Sequence, residues 1–182
     1  DPAAVFNVTR ELELKNFYLT GGYQIDLSTF KLNIRQGQFD PPLTALEGRR
    51  FAGARRRGKH LLFPTVDDEL VLHVHLMSAG RIRFQEPGAK GPKTPAFRLR
   101  IEDGGELILT EGGPKKRARI GVYRPDELEE ELAHLGPEAS DITGEELAEI
   151  ARRESRRLHP FLRDQRALAG IGRAWSNEIL NR

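Results

Sequence analysis

Apolar and polar residues alternate in short runs through the first part of this chain, and the spacing lengthens to three or four residues towards its end. Phe17–Leu19, Tyr23–Leu27 and Phe30–Ile34 alternate in part and are separated by Gly22 and by Ser28-Thr29. Leu61–Phe63, Leu70–Leu76, Ile82–Phe84, Phe97–Ile101 and Glu106–Leu109 continue the pattern, which predicts half-buried strands. Asp67-Asp68-Glu69 and Asp103-Gly104-Gly105 read as turns, and Gly88 to Pro95 as a mobile loop. After Val122 the character changes. Pro125 to His134 is acidic and helical and is stopped by Gly136-Pro137. Thr143-Gly144-Glu145-Glu146 is a capping-box sequence, so a helix begins near Gly144, with Leu147, Ile150, Ala151 and Leu158 as its apolar stripe. Pro160 suits the first turn of a further helix, and Ala174 to Asn181 forms another. The fold class is therefore α+β. An N-terminal antiparallel sandwich or barrel over residues 1–124 precedes a helical domain over 125–182.

The chain has 182 residues, enough to bury a core. No apolar run reaches the length of a membrane span and no charged-then-apolar leader is visible, so the expectation is a cytoplasmic protein without a membrane partner. There are no cysteines, which excludes disulfides and cysteine-ligated zinc. The formal net charge is only +2, but it is unevenly spread. Residues 41–100 carry twelve Lys and Arg against five Asp and Glu, whereas residues 101–182 carry thirteen against seventeen. A basic middle on a nearly neutral chain points to a polyanionic partner. The alternative is a solvated face. His73 and His75 lie two apart on a predicted strand and share a face, but no third ligand is evident, so they read as structural and no metal is expected.

Asp164 to Leu180 is the most informative stretch. Its Gly170-Ile171-Gly172 closes one helical segment and opens another. Successive N–H groups in such a turn, followed by a helix N-terminus, suit a phosphate, although many glycine turns are only helix caps. The residues around it resemble the helix–two-turn–helix of the formamidopyrimidine-DNA glycosylase and endonuclease VIII family, D-Q-x-x-x-A-G-I-G-N-x-Y-x-x-E-I-L. Three further blocks match in the same order. Arg55-Arg56-Arg57-Gly58-Lys59-His60-Leu61-Leu62 resembles R-R-x-G-K-x-L-L, and Leu72 to Arg81 resembles L-x-L-H-L-x-x-x-G-R. Leu135-Gly136-Pro137-Glu138 matches the L-G-P-E before the helical domain.

With the resemblance, the fold expected is α+β with an N-terminal antiparallel β-sandwich, and the function implied is base-excision repair. The family removes oxidised or ring-opened bases and cleaves the strand through a Schiff base, with damaged or abasic double-stranded DNA in the cleft between two domains. It places phosphate contacts on Arg55, Arg56, Arg57, Lys59 and His75, on Lys115 and Lys116, and on the turn formed by Gly170, Gly172 and Arg173. Lys59, on a predicted strand among arginines, also supports the elimination chemistry, and the like charges beside it should lower its pKa. The family fills the gap left by an everted base with a methionine. Anchored on Gly80-Arg81, Ser78 takes that position, while Met77 either substitutes for it or, as we favour, belongs to the core. Arg117 stands where the family has an aromatic wedge, Arg173 where it has asparagine, and His159 near its lysine.

The family's nucleophile is an N-terminal proline followed by glutamate. Here Asp1 precedes Pro2 and Ala3 follows it, so Pro2 is a candidate only if its amine is free, and Lys59 is the other family-matched amine. The family's C-terminal zinc finger has no counterpart, so no cofactor is expected, and the last helical segment carries no stop signal, as a truncated chain would end. Three readings follow. The chain is a glycosylase and lyase, or a non-catalytic damaged-DNA-binding paralogue, or, more remotely, an RNA- or ribosome-binding module. A monomer associated with the nucleoid is the expected state.

Overall fold

A computed structural model describes residues 25–26, 40–93, 95–101, 105–112 and 117–181. Pro2, Lys115 and Lys116 lie outside the described residues, as do Phe17–Leu19 and Phe30–Ile34. Eight strands are described: β1 (Ile25–Asp26), β2 (Arg55–Arg57), β3 (His60–Pro64), β4 (Val71–His75), β5 (Gly80–Gln85), β6 (Phe97–Ile101), β7 (Glu106–Glu111) and β8 (Arg119–Tyr123). They form two sheets, ordered β1-β6-β7-β5 and β2-β3-β4-β8, in which every neighbouring pair is antiparallel. Strand β8 does not stand out in the sequence pattern, because its alternation is only three apolar side chains long.

The period-2 pattern places the core. Leu61 and Phe63 of β3, Leu72 and Val74 of β4, and Ile120 and Val122 of β8 face inward. Ile82 of β5, Phe97 and Leu99 of β6, and Leu107 and Leu109 of β7 meet them from the other sheet in one buried cluster. Of the sandwich and the barrel that the alternation allows, this is the sandwich, with two separate sheets.

Four helices follow: α1 (Pro125–Leu132), α2 (Gly144–Arg152), α3 (Leu158–Arg163) and α4 (Arg173–Leu180). Helix α1 opens on Pro125 at its first position, which lacks an N–H to leave unsatisfied. The Thr143 hydroxyl accepts from the Glu146 N–H while the Glu146 carboxylate accepts from the Thr143 N–H, the capping box the sequence predicts for α2. One expectation is corrected here. Leu158 does not extend the stripe of α2, because that helix ends at Arg152, and Leu158 instead starts α3 with its side chain 56% exposed.

The apolar clusters run across the strand-to-helix change at residue 124. Leu128 and Leu132 of α1, with Leu135 and Ala169, pack on Val71, Leu62 and Tyr123 of the outer face of β3, β4 and β8. A separate cluster of Phe161, Leu162, Leu168 and Ile171 holds α2, α3 and α4 together. Ala169 and Glu138 form an isolated parallel bridge, so the segment after α1 and the glycine turn run side by side.

Candidate functional site

Strands β2 and β3 are joined by the two residues Gly58 and Lys59, with Arg57 opposite His60. Gly58 has φ +57, and a type II′ hairpin asks for positive φ at its first central residue. Lys59 is therefore not within a strand, as its flanks predict, but at the tip of a hairpin. The tip packs on the helical part: a Cβ on Gly58 would lie 3.4 Å from the Ala169 Cβ and 3.7 Å from the Gly170 nitrogen.

Glu138 holds this arrangement. Its carboxylate accepts from the Gly58 N–H, from Arg56 Nη1 at 2.7 Å and from Arg57 Nη1 at 2.9 Å. Arg57 Nη2 also donates to the Leu135 and Gly136 carbonyls at 3.1 and 2.8 Å, and Arg56 Nη1 to the Gly58 carbonyl at 2.8 Å. Burial works to raise the Glu138 pKa, but the Gly58 N–H and the two guanidiniums overcome it and hold the carboxyl below its usual range. Arg56 and Arg57, expected to meet phosphates, thus have much of their charge neutralised within the protein. Arg55 is exposed on the edge strand.

Lys59 behaves differently. It is half-buried, and among the described residues no carboxylate meets it. Its pKa is lowered first by burial and then by the like charge of Arg163 at the end of α3. The direction matches the expectation but the cause does not, since Arg56 and Arg57 are tied to Glu138. Sequence reasoning missed Arg163, which matches no motif position and becomes a neighbour of Lys59 only when α3 folds back on the hairpin.

The glycine turn reaches the same place. A Cβ on Gly172 would lie 3.7 Å from Lys59 Cε and 3.8 Å from Nζ. Gly172 is the N-cap of α4 with φ −109, and no side chain caps the helix. Gly170, at φ +101, donates its N–H to Gln165 Oε1 at 3.0 Å, and Gln165 Nε2 donates to the Ile171 carbonyl at 2.9 Å. The Gly170 N–H is thereby used inside the turn. The N-cap Gly172 supplies no side-chain cap to α4, and Arg173 in its first turn is exposed. A half-buried ammonium, a second cation and a helix N-terminus converge here, which together favour an anion.

Beside Lys59 the outer face of β3 and β4 carries three imidazoles. His60 joins His73 and His75, a third ring that sequence spacing did not reveal because it comes from the paired strand, opposite His75. His60 Nδ1 and His73 Nε2 are 2.7 Å apart, and the His60 ring meets His75 edge-on at 4.5 Å between centroids. Among the described residues these rings do not form a group that could hold a metal ion. Burial pushes His60 down to about 3 and His73 and His75 down to about 4, with neighbouring histidines, Lys59 and Arg119 adding to it. Met77 and Ser78, in the turn after β4, are both exposed. Met77, 42% exposed, is therefore not part of the core, a correction that follows from its φ of +53.

The model of the formamidopyrimidine-DNA glycosylase N-terminal domain matches residues 24–120, more than half of the chain. The chain belongs to this family. The formamidopyrimidine-DNA glycosylase of Methylococcus capsulatus is 32% identical over 159 residues, covering 83% of this chain and 57% of that protein. That of Chloroflexus aggregans is 35% identical over 143 residues, covering 77% and 51%. The chain thus spans little more than half the length of these curated relatives. Among solved structures, a complex of Lactococcus lactis Fpg with DNA containing an abasic site superposes with a TM-score of 0.77 at 25% identity, covering 97% of this chain and 64% of that one. Among the described residues, no helix is long and apolar enough to cross a membrane.

Two outcomes follow from this geometry. Glu138→Gln leaves Arg56 and Arg57 without their counter-charge at a site mostly shielded from water, and should lower the unfolding free energy by about 2–3 kcal/mol in urea titrations. An unchanged midpoint would mean the hairpin is held by apolar packing alone. The second concerns acid. His73 is 4% exposed and stays neutral to about pH 4, whereas in the unfolded chain it binds a proton from about pH 6.5 downward. Stability conferred above pH 6.5 should therefore fall towards pH 4 by up to about 1.4 kcal/mol per pH unit for such a ring. His73→Leu should flatten that slope.

Proposed function

We propose that this chain binds damaged or abasic duplex DNA as part of a base-excision-repair glycosylase, seating a backbone phosphate between Lys59, Arg163 and the start of α4. The observation that carries this reading is the approach of Lys59 to Gly172, which joins two motifs 113 residues apart into one cationic recess. Family membership supports the same reading. A phosphodiester supplies negative charge to an ammonium and a guanidinium that meet no carboxylate among the described residues. Arg55 and Arg173 extend the positive surface, and Met77 or Ser78, exposed beyond His75, would fill the place of an everted base.

A second reading concerns Lys59 alone. An amine with a lowered pKa is partly unprotonated nearer neutral pH and can attack the C1′ aldehyde of an opened abasic sugar, losing water to form an imine. That reading gives a lyase, whereas its failure leaves a damaged-DNA-binding protein without that amine chemistry.

Binding should weaken with salt. The double variant Lys59→Ala, Arg163→Ala should reduce the slope of log K against log salt by about one unit, at roughly 0.9 for the one phosphate the two cations share. Arg56→Ala, whose guanidinium already shares the Glu138 carboxylate with Arg57, should change the slope less. Gly172→Val adds a side chain where φ is −109, so it blocks approach without backbone strain. It should fold normally and lose affinity. Full affinity in this variant would make the turn only a helix cap.

Borohydride trapping on DNA with an abasic site tests the amine. A covalent adduct absent from Lys59→Ala establishes the lysine imine. Arg163→Ala, which removes a like charge, should then move the trapping profile to higher pH. No adduct, with binding intact, leaves the non-catalytic reading.

A further inference from the structure

The four residues between β4 and β5, Leu76 to Ala79, form a tightly closed turn. The Gly80 N–H donates to the Leu76 carbonyl at 2.9 Å, and a Cβ on Gly80 would lie 2.4 Å from that same oxygen. Leu76 packs against the sandwich core, which anchors one end of the turn. Met77 then takes φ +53, a left-handed conformation that a residue with a long side chain rarely adopts. Something must hold it there. The Met77 N–H donates to His75 Nδ1 at 3.0 Å, a link from residue i to i+2 of the kind that asparagine makes in an Asx-turn.

The ring that makes this link is itself fixed. His75 lies edge-on to His60, the residue after Lys59, and feels the charges of Lys59 and Arg119. Met77 is thus tethered to the same surface that carries the phosphate seat, with its thioether chain out of the core. Accepting at Nδ1 requires that Nδ1 carry no proton, which places the ring proton on Nε2.

We propose that His75 is a positioning residue: by accepting the Met77 N–H at Nδ1 it sets the left-handed turn that presents Met77, and not Ser78, to the vacated base position of a damaged duplex. This rests on the DNA-binding reading above and deepens it. An unbranched apolar side chain is suited to a gap in a base stack, since it fills the space left by the absent base and limits the loss of stacking. A serine in the same turn is too short and too polar to do so.

Met77 is the only methionine in the sequence, so protein labelled with 13C-methyl methionine gives a single methyl signal. In the wild-type chain, 15N spectra should show His75 with its proton on Nε2. Adding a duplex with a tetrahydrofuran abasic analogue should shift the Met77 methyl through the ring currents of the flanking bases. His75→Leu should move the methyl signal of the free protein to a conformationally averaged position. It should also lower the affinity ratio of abasic to intact duplex about tenfold, the loss expected when part of the unstacking cost is no longer offset. His75→Asn, whose Oδ1 can accept the same N–H, should restore both. A proton on Nδ1, a methyl signal that ignores the abasic duplex while binding is intact, or a His75→Leu variant with wild-type selectivity would each overturn the proposal. The tautomer is read on the wild-type protein, so a variant that fails to fold does not shield the idea. If the wild-type chain binds no duplex at all, the DNA-binding reading fails first and this one falls with it.

Discussion

The Glu138 carboxylate accepts two guanidiniums and a backbone N–H from the β2–β3 hairpin, and the orientation of the hairpin tip that carries Lys59 depends on it. Its side chain is 13% exposed and those of Arg56 and Arg57 about a third exposed. Net stabilisation from such a group is modest, because desolvation offsets much of the Coulomb attraction. Its effect on geometry is larger. Three donors from three consecutive residues converge on one carboxylate, so the hairpin tip has one orientation against the segment after α1. The Glu138–Ala169 bridge carries that orientation on to the glycine turn.

Lys59 is the consequence. Three arginines of this part of the chain are paired within the protein, Arg56 and Arg57 with Glu138 and Arg156 with Glu154 and Asp164. Among the described residues, Lys59 and Arg163 are not. A half-buried ammonium beside another cation is unfavourable in the free protein, as its lowered pKa reports. That cost is offset when an anion enters, which makes the recess selective for negative charge. The uncapped start of α4 adds oriented N–H dipoles on the same side.

The outer face of the β2-β3-β4-β8 sheet grades from apolar to polar along its strands. Val71 and Tyr123 lie under α1, His73 comes next, opposite Gly121, and His60, His75 and Arg119 lie at the hairpin end. Buried imidazoles kept neutral fill space, hydrogen-bond to each other and add no positive charge beside Lys59. One strand thereby serves the core on its inner face, the helix packing at one end and the candidate site at the other.

Much of the fold was legible locally. Period-2 alternation located β3, β4, β5, β6 and β7 but not β2 or β8, and the Thr143 capping box and Gly136-Pro137 located helix boundaries, because each signal acts over a few residues. The motif blocks also singled out Lys59 and the glycine turn. Local patterns could not say that Lys59 stands at a hairpin tip, since a single Gly-Lys pair between basic and apolar residues reads equally as strand. Nor could they pair Arg56 and Arg57 with Glu138, bring His60 beside His75, or set Arg163 against Lys59. Met77 shows the same limit: its apolar side chain argues for the core, while a hydrogen bond to a ring two residues earlier turns it outward. The sequence by itself determined which residues could form strands, helices and the glycine turn between two helices, because those depend on backbone propensity and short spacing. Which cations are balanced and which are left for a ligand was decided only by tertiary structure, because charge pairing and desolvation act between residues that the chain holds far apart.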